Sequence, residues 1–483
     1  MRYASVVNGI SGAIEAGSLP SEYDNKTGIV IMIGLIGLFL GLGLLITMAL
    51  RGVNIIFAAA ACSLVVIASN ALPFADSINQ AFLFGDLGAF TFAGRFFPLF
   101  AAGAIFGRIM GESHAATSIA MALVERLGAD RALWITVFAC ALLTYGGVVV
   151  FVVIFAMYPL GLRLLKEADI PKRLFCGALA LGSGTFTLTA LPGTPSIQNV
   201  IPSFTLGTDL FAGAVLGIFG GAIMFVLGIW YLERERVLAR ASGEGFVPGP
   251  ADQIPDLDEI ESLRPHWALA LAPLALVIGT ILAPRLLAMT GLATDAALVQ
   301  FANSQPVLWP SMALMFGSVV SLLLFPAVRS RALNVLGEGT QDSIAPLMAT
   351  AAVIGFGGVV VQTGGFATFT ELVTGADVSP LLSMFAAIST VSGITGSASG
   401  GLQIFMSTMA EHYLALGVAP EVLHRLVAMA AGGFDSLPHC GAVIAMLTIT
   451  QLTHKQAYKD VAIVTVVIPV IAALSATGLA MIL

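Results

Sequence analysis

Charged residues are scarce in this sequence: Asp, Glu, Lys and Arg together make 10% of its 483 residues, where a soluble chain carries about a quarter. So few charges cannot cover the surface of two or three aqueous cores, which excludes a soluble multidomain protein. Cysteine is nearly lacking too. Cys62, Cys140, Cys176 and Cys440 lie singly in apolar stretches with no C-x-x-C spacing, which argues against a disulfide framework or a zinc site. No motif calls for a metal or a cofactor. There is no basic stripe and no aromatic platform, so nucleic acid is not an expected partner. Residues 1–27 hold Glu15, Pro20, Glu22 and Asp24 without a basic region leading into an apolar one. A cleavable signal peptide is therefore not expected, and the first helix must serve for insertion.

Apolar sequence is what is abundant. Hydrophobic residues make 58% of the chain and mean hydropathy is +0.96. The runs 28–50, 53–71, 210–230 and 461–483 are each long enough to cross a hydrocarbon layer as a helix. An all-α polytopic membrane protein, with the bilayer as its partner, follows. The net charge of −7 says little about other partners, because the densest acid sits in one loop, 233–261.

A weak internal repeat runs through the chain. PLFAAGAIFG from Pro98 leads to VERLGAD at Asp130; PLMATAAVIGFGG from Pro346 leads to ELVTGAD at Asp377. Each copy then has a helix, a glycine pair (TYGG to Gly147, SASGG to Gly401), a second helix, and an entry with Arg-Leu at Lys172 or His424. Each third segment carries Leu-Pro in its middle, at Pro192 and Pro438. Basic residues mark cytoplasmic loops. Arg126, Arg131, Arg163, Lys166, Lys172 and Arg173 crowd the first copy's loops, whereas the second has Glu371, Asp377, Glu411 and Glu421 there, with Arg425 as the one base. Lys455 and Lys459 follow the second broken segment, and no base occurs in TLGTD, ending at Asp209. The copies therefore have opposite orientations. With the 233–264 loop, Arg329 and Arg331 inside, both termini fall outside, after an even dozen or more crossings. The expected divisions are a tail and scaffold helices (1–94), a first inverted repeat (95–233), a charged cytoplasmic loop (234–266), connecting scaffold helices (267–342) and a second inverted repeat (343–483). Inverted repeats with broken helices and hairpins are an architecture of secondary transporters.

The breaks are the candidate site, because irregular backbone at membrane depth persists only where protein or a water-filled cavity surrounds it. Residues 181–202, LGSGTFTLTALPGTPSIQNVIP, interleave breakers with hydroxyls and amides. Half-helix starts near Pro192 and Pro195 offer N–H groups to an anion, and Thr194, Ser196, Gln198 and Asn199 add hydrogen bonds. The same Ser and Thr residues would serve equally to satisfy freed carbonyls. In GGFDSLPHCG, Asp435, Ser436 and His439 surround the second break. An ionised group at mid-membrane costs about 2.5–3.5 kcal/mol even on the mildest scale. Asp435 and His439 are thus candidates for carrying a coupling proton, set against a bland reading in which Asp435 caps a half-helix. GITGSASGG, with Ser397, Ser399 and Gly400, either contacts the ligand or permits close packing; TYGG at 144–147 is open in the same way. His114 and the QTGG at 362–365 occupy matching positions, His114 being more readily structural than functional.

TFTLTALPGTPSIQNVIP, SGITGSASGGLQI and GGFDSLPHCGAVIAMLTITQLTHKQAYKDV together resemble the gluconate permease (gluconate:proton symporter) family of the ion transporter superfamily, and within it the members described as 3-hydroxybutyrate permeases. The likeness covers nearly everything beyond Pro98. It implies a multi-pass carrier of the bacterial inner membrane that imports a small hydroxy-carboxylate with protons, by elevator motion of one domain against a scaffold, as a homodimer. It places substrate at 194–199, 397–401 and 435–439. Gluconate-type members have a proline-histidine-rich break where this chain has LPGTPSIQN, which favours a smaller, less hydroxylated acid. Sodium coupling is the alternative, since unwound carbonyls bind sodium without a sequence signature. A passive anion channel would need rings of like groups. A membrane hydrolase using Ser397, Ser436 and His439 lacks an oxyanion hole, so no enzymatic activity is expected.

Overall fold

The computed structural model describes residues 21–250, 252, 264–290 and 296–483. The expected absence of a leader in 1–20 and the acids of 253–263 therefore lie outside the described residues. Among the described residues all regular structure is helical, as lipid demands of a chain that must pair its own backbone groups. The helices are α1 (Ser21–Leu50), α2 (Ile55–Ser69), α3 (Ala89–Glu112), α4 (Ala115–Leu127), α5 (Ala132–Tyr145), α6 (Val150–Ala168), α7 (Lys172–Gly184), α8 (Ile197–Leu206) and α9 (Ala214–Ala241). There follow α10 (Trp267–Thr290), α11 (Leu308–Leu324), α12 (Ala332–Val361), α13 (Gly364–Thr374), α14 (Pro380–Thr395), α15 (Ala398–Thr408), α16 (Pro420–Phe434), α17 (Gly441–Ile449) and α18 (His454–Ala480). Two expected boundaries shift: α9 runs on to Ala241, past 233, and the first helix of the second copy begins at Ala332 rather than 343.

The order α3 to α9 recurs as α12 to α18, and the packing recurs with it. α5 packs on α7 as α14 packs on α16, and α3 meets α6 as α12 meets α15. Across copies, α6 meets α17 as α15 meets α8. That exchange is what a two-fold relation between the copies produces. The Arg-Leu entries take part in it. Arg173, in the first turn of α7, donates to Asp460 of α18 at 2.7 Å; Arg425, in the first turns of α16, donates to the carbonyls of Leu210 and Ala212, before α9, at 3.1 and 3.0 Å. Each copy's broken helix is thereby pinned to the last helix of the other.

Two helix pairs turn back instead of crossing. α5 has 14 residues, about 21 Å, against a hydrocarbon core of about 30 Å. The end of α6 packs beside residues 129–131, where α5 begins, so α5 and α6 form a hairpin with its tip at Gly146 and Gly147. α14 and α15 do the same around Gly396: Ser383 near the start of α14 bonds Tyr413, just past α15, at 2.9 Å. Gly147 and Gly396 both take positive φ, 93° and 59°, a region that a β-carbon penalises. Of these hairpin helices α5, α14 and α15, with 14, 16 and 11 residues, fall short of the hydrocarbon thickness, whereas α6 has 19.

The helices sort into two bodies. α1, α2, α3, α10, α11 and α12 pack among themselves, with the prolines Pro98 and Pro346 inside the closely paired α3 and α12. α5 to α9 and α14 to α18 form the other. α4 and α13 link them, touching α10 and α5, and α1 and α14, respectively. On the side of the basic loops, Asp252 closes the second body. Its carboxylate takes Lys172 Nζ at 2.7 Å, Tyr158 Oη at 2.6 Å and Gln451 Nε2 at 3.0 Å, joining α6, α7 and the end of α17.

Candidate functional site

Between the two bodies lies a cavity of about 290 Å³, at the small end for ligand sites. The starts of four helices line it: α6 at Val150, α8 at Ile197, α15 at Ala398 and α17 at Gly441. Each start exists because Gly, Pro or Ser breaks the chain just before it. The leading N–H groups of a helix have no intrahelical partner and carry partial positive charge. Four such ends aimed at one space make a field for an anion without Lys or Arg. Among the described residues lining the cavity, Asp435, His439 and Cys440 are the ionisable ones, and none is basic like Lys or Arg.

Asp435 ends α16, yet its carboxylate faces another element. It accepts from Ser436 Oγ at 3.0 Å and faces the backbone N–H of Ala398, the first residue of α15. The side chain that caps α15 is Ser397, which accepts from the Gly400 N–H. His439 faces the same tip. Its Nε2 lies 3.1 Å from the Gly393 carbonyl; a carbonyl only accepts, so Nε2 carries hydrogen and Nδ1 is the acceptor of the neutral ring. The first break is tied to its hairpin in parallel fashion, Tyr145 Oη donating to the Pro192 carbonyl at 2.7 Å.

These are transporter features, and comparison with known proteins agrees. The profile described as GntP family permease matches residues 29–482. The chain belongs to the GntP permease family. An uncharacterised transporter of Bacillus subtilis, YxjC, is 39% identical over 92% of this chain and 99% of its own. The high-affinity gluconate transporter of Escherichia coli is 25% identical over 70% and 74%. The crystal structure of the YdaH transporter of Alcanivorax borkumensis, reported as having an unusual topology, superposes with a TM-score of 0.52 at 12% identity over 81% and 86%, a likeness of fold. This GntP-family chain is thus a multi-pass membrane transporter.

The cavity of this GntP-family fold gathers Ser196, Gln198, Ser397, Ser399, Asp435, Ser436 and His439 from three separate segments. Three expected site residues do not line it. Asn199 is fully buried, its amide donating to the carbonyls of Thr194 and Leu210, both at 2.9 Å, and its oxygen facing His424 Nε2 at 2.8 Å. Asn199 is one residue beyond Gln198, so helical rotation of about 100° turns it from the cavity into the protein. Thr194 is fully buried beside it, and the Gly400 N–H is bonded to the Ser397 hydroxyl that caps α15. His114 sits in the left-handed turn between α3 and α4, away from the cavity. In the matching turn, Thr363 caps α13 and Gln362 accepts from Ser77. Sequence reasoning left Thr144 open, within TYGG, and missed Thr350; both are on the lining, and nothing local distinguishes Thr350 from other helix threonines.

Proposed function

We propose that this chain is a proton-coupled symporter of a small hydroxy-carboxylate in the bacterial inner membrane, working as a homodimer by elevator motion. The observation that carries it is Asp435 lining the cavity beside the start of α15. A charged Asp435 occupies that helix start; a substrate carboxylate placed there would meet a like charge in a space with little water. Protonation of Asp435 removes the competitor and frees the site. Proton and anion therefore bind together more favourably than either alone, which is the thermodynamic content of symport. His439 holds the hairpin tip and offers Nδ1 to a substrate hydroxyl.

The walls suit a sliding motion. Polar breaks and hairpin tips come from α5 to α8 and α14 to α17, while the opposite wall, from α1, α2, α3, α11 and α12, contributes Leu45, Leu99, Phe100, Leu314 and Val353 with Thr350 as its hydroxyl. The lining extends to Leu45, Ala49 and Ile55 beside the Arg51 turn, so with basic loops inside the cavity faces the cytoplasm. Substrate is 3-hydroxybutyrate or a gluconate-like acid. The Escherichia coli relative's name supports gluconate, and the small cavity supports the shorter acid.

The test is uptake by purified protein in liposomes of labelled 3-hydroxybutyrate and gluconate, under an inward proton gradient without sodium. Accumulation of one above equilibrium supports coupling and selects the substrate. Accumulation that needs sodium and ignores the proton gradient removes Asp435 from its role.

A further inference from the structure

The seam between the two bodies is open toward the cytoplasm and nearly filled on the opposite face. α9 leads from residues 204–213 to the basic loops, and α10 returns from those loops at Trp267. Residues 204–213 and the far end of α10 therefore lie on the outer side. The start of α3 lies there too, since its last residue, Glu112, pairs with Arg331 on the inner side. The outer gap lined by Asp209, Phe211 and Arg285 measures about 30 Å³, against about 290 Å³ for the cavity. Such a gap holds roughly one or two waters.

Charges and aromatic rings meet across this outer face. Arg285, near the end of α10, pairs with the Asp209 carboxylate, and its guanidinium lies 5.1 Å from the centre of the Phe211 ring. Arg95, near the start of α3, lies 4.6 Å from the centre of the Phe204 ring, which Phe96 meets edge-on at 6.4 Å. An arginine of the scaffold thus faces a phenylalanine of the second body at each end of the stretch 204–211. Its own body fixes that stretch from behind. His424 Nδ1 lies 2.7 Å from Thr208 Oγ1, the Asn199 amide donates to the Leu210 carbonyl at 2.9 Å, and Arg425 donates to the carbonyls of Leu210 and Ala212. The stretch is therefore part of the body and moves with it. The Asp209 and Arg285 side chains are 42% and 36% exposed, so their pairing contributes modestly, as does a guanidinium over a ring at such a site. Contacts of this strength bias an equilibrium between two states without locking it.

We propose, resting on the elevator reading above, that Arg95 and Arg285 of the scaffold and Phe204, Asp209 and Phe211 of the second body form an outer clasp. The clasp favours the cytoplasm-facing state and opens once in each transport cycle. Sliding carries Phe204, Asp209 and Phe211 away from the two arginines, which stay with the scaffold. Loosening it shifts the resting population toward the outward-facing state while leaving the lining of the cavity intact, since none of the five residues belongs to that lining.

The test reads sidedness without any substrate. In a background lacking Cys62, Cys140, Cys176 and Cys440, Gln198→Cys places a thiol on the cavity wall. Its rate of modification by a small, membrane-impermeant anionic methanethiosulfonate is measured from outside in right-side-out vesicles and from the cytoplasmic side in inverted ones. Asp209→Asn and Arg285→Gln are each expected to raise the outside-to-inside ratio of rates about three-fold, the worth of an exposed ion pair, and Arg95→Gln to raise it similarly. Arg285→Lys, which keeps the charge, is expected to shift the ratio less than Arg285→Gln. The double variant Asp209→Asn, Arg285→Gln should shift it little more than Arg285→Gln alone, because the two residues act as one pair. A ratio unchanged in all three single neutral variants overturns the clasp, and full multiplication of the two effects in the double variant overturns the pairing of Asp209 with Arg285. Modification from the cytoplasmic side alone, in the parent and in every variant, instead sinks the elevator reading on which the clasp rests.

Discussion

Asp435 and Asp252 are both enclosed acids, and their partners give them different work. Asp435 has a neutral donor, the Ser436 hydroxyl, and faces the start of α15, whose dipole a substrate can also use. Replacing it with Asn mimics the protonated form permanently; uphill uptake is expected to vanish while exchange of labelled for unlabelled substrate continues. Gradient-driven accumulation by Asp435→Asn would remove it from coupling. Asp252, in contrast, faces Lys172, with the two side chains 0% and 5% exposed. Burial alone would raise its carboxyl, but Lys172, Tyr158 and the Gly249 N–H outweigh burial and bring it below the usual range. Arg173 holds Glu244 low as well. A depressed folded value means that this stabilisation is complete above the unfolded value of about 4 and is lost as pH falls through the folded one. The unfolding midpoint of solubilised protein should owe no change to these groups between about pH 7 and 5, and should drop below about pH 4. Asp252→Asn leaves a buried ammonium unpaired, costing about 3–5 kcal/mol, which a lowered midpoint at neutral pH would report.

At the level of elements, the hairpins decide what the site can be. Four helix starts meet because two pairs of helices fold back and two spans break beside them. In the second hairpin the fold-back depends on Gly401: a β-carbon there would come 2.7 Å from the Ser392 Cα and 2.1 Å from its Oγ. Ala at 401 must push α14 from α15, an overpacking cost of about 1–3 kcal/mol. Thermal stability in detergent should fall accordingly. The Ser392→Ala, Gly401→Ala double variant should recover only part of the loss, since removing the hydroxyl leaves the clash with the α14 backbone in place. Equal stability of Gly401→Ala and wild type would show that the helices separate freely. The glycine pairs and Leu-Pro pairs were legible as breaks, because Gly and Pro alter the backbone wherever they stand. Which way a helix turns its hydroxyls was not. Asn199 and Gln198 are neighbours in sequence and opposite in environment.

For the whole molecule, the two-body packing carries the elevator reading. The bodies touch at α3 with α6 and at α12 with α15, and sliding must separate both pairs. Cysteines introduced at Val353 and Gly400, in a background lacking Cys62, Cys140, Cys176 and Cys440, are close enough for a disulfide. Oxidation should abolish net uptake and reduction should restore it. Undiminished turnover of the cross-linked protein would replace the elevator with local gating at the tips.

The sequence by itself determined the solvent, the class of fold, the repeated order and the depth of the breaks. Each depends on counts and spacing along the chain: too little charge for water, apolar runs of membrane length, and helix breakers where lipid forbids loose backbone. Tertiary structure alone decided that these helices pair as hairpins, that Asp435 sits beside the start of α15, and which side chains line the cavity. Those are relations between residues as far apart as 144, 198, 350 and 435, and they follow from packing that no local pattern encodes.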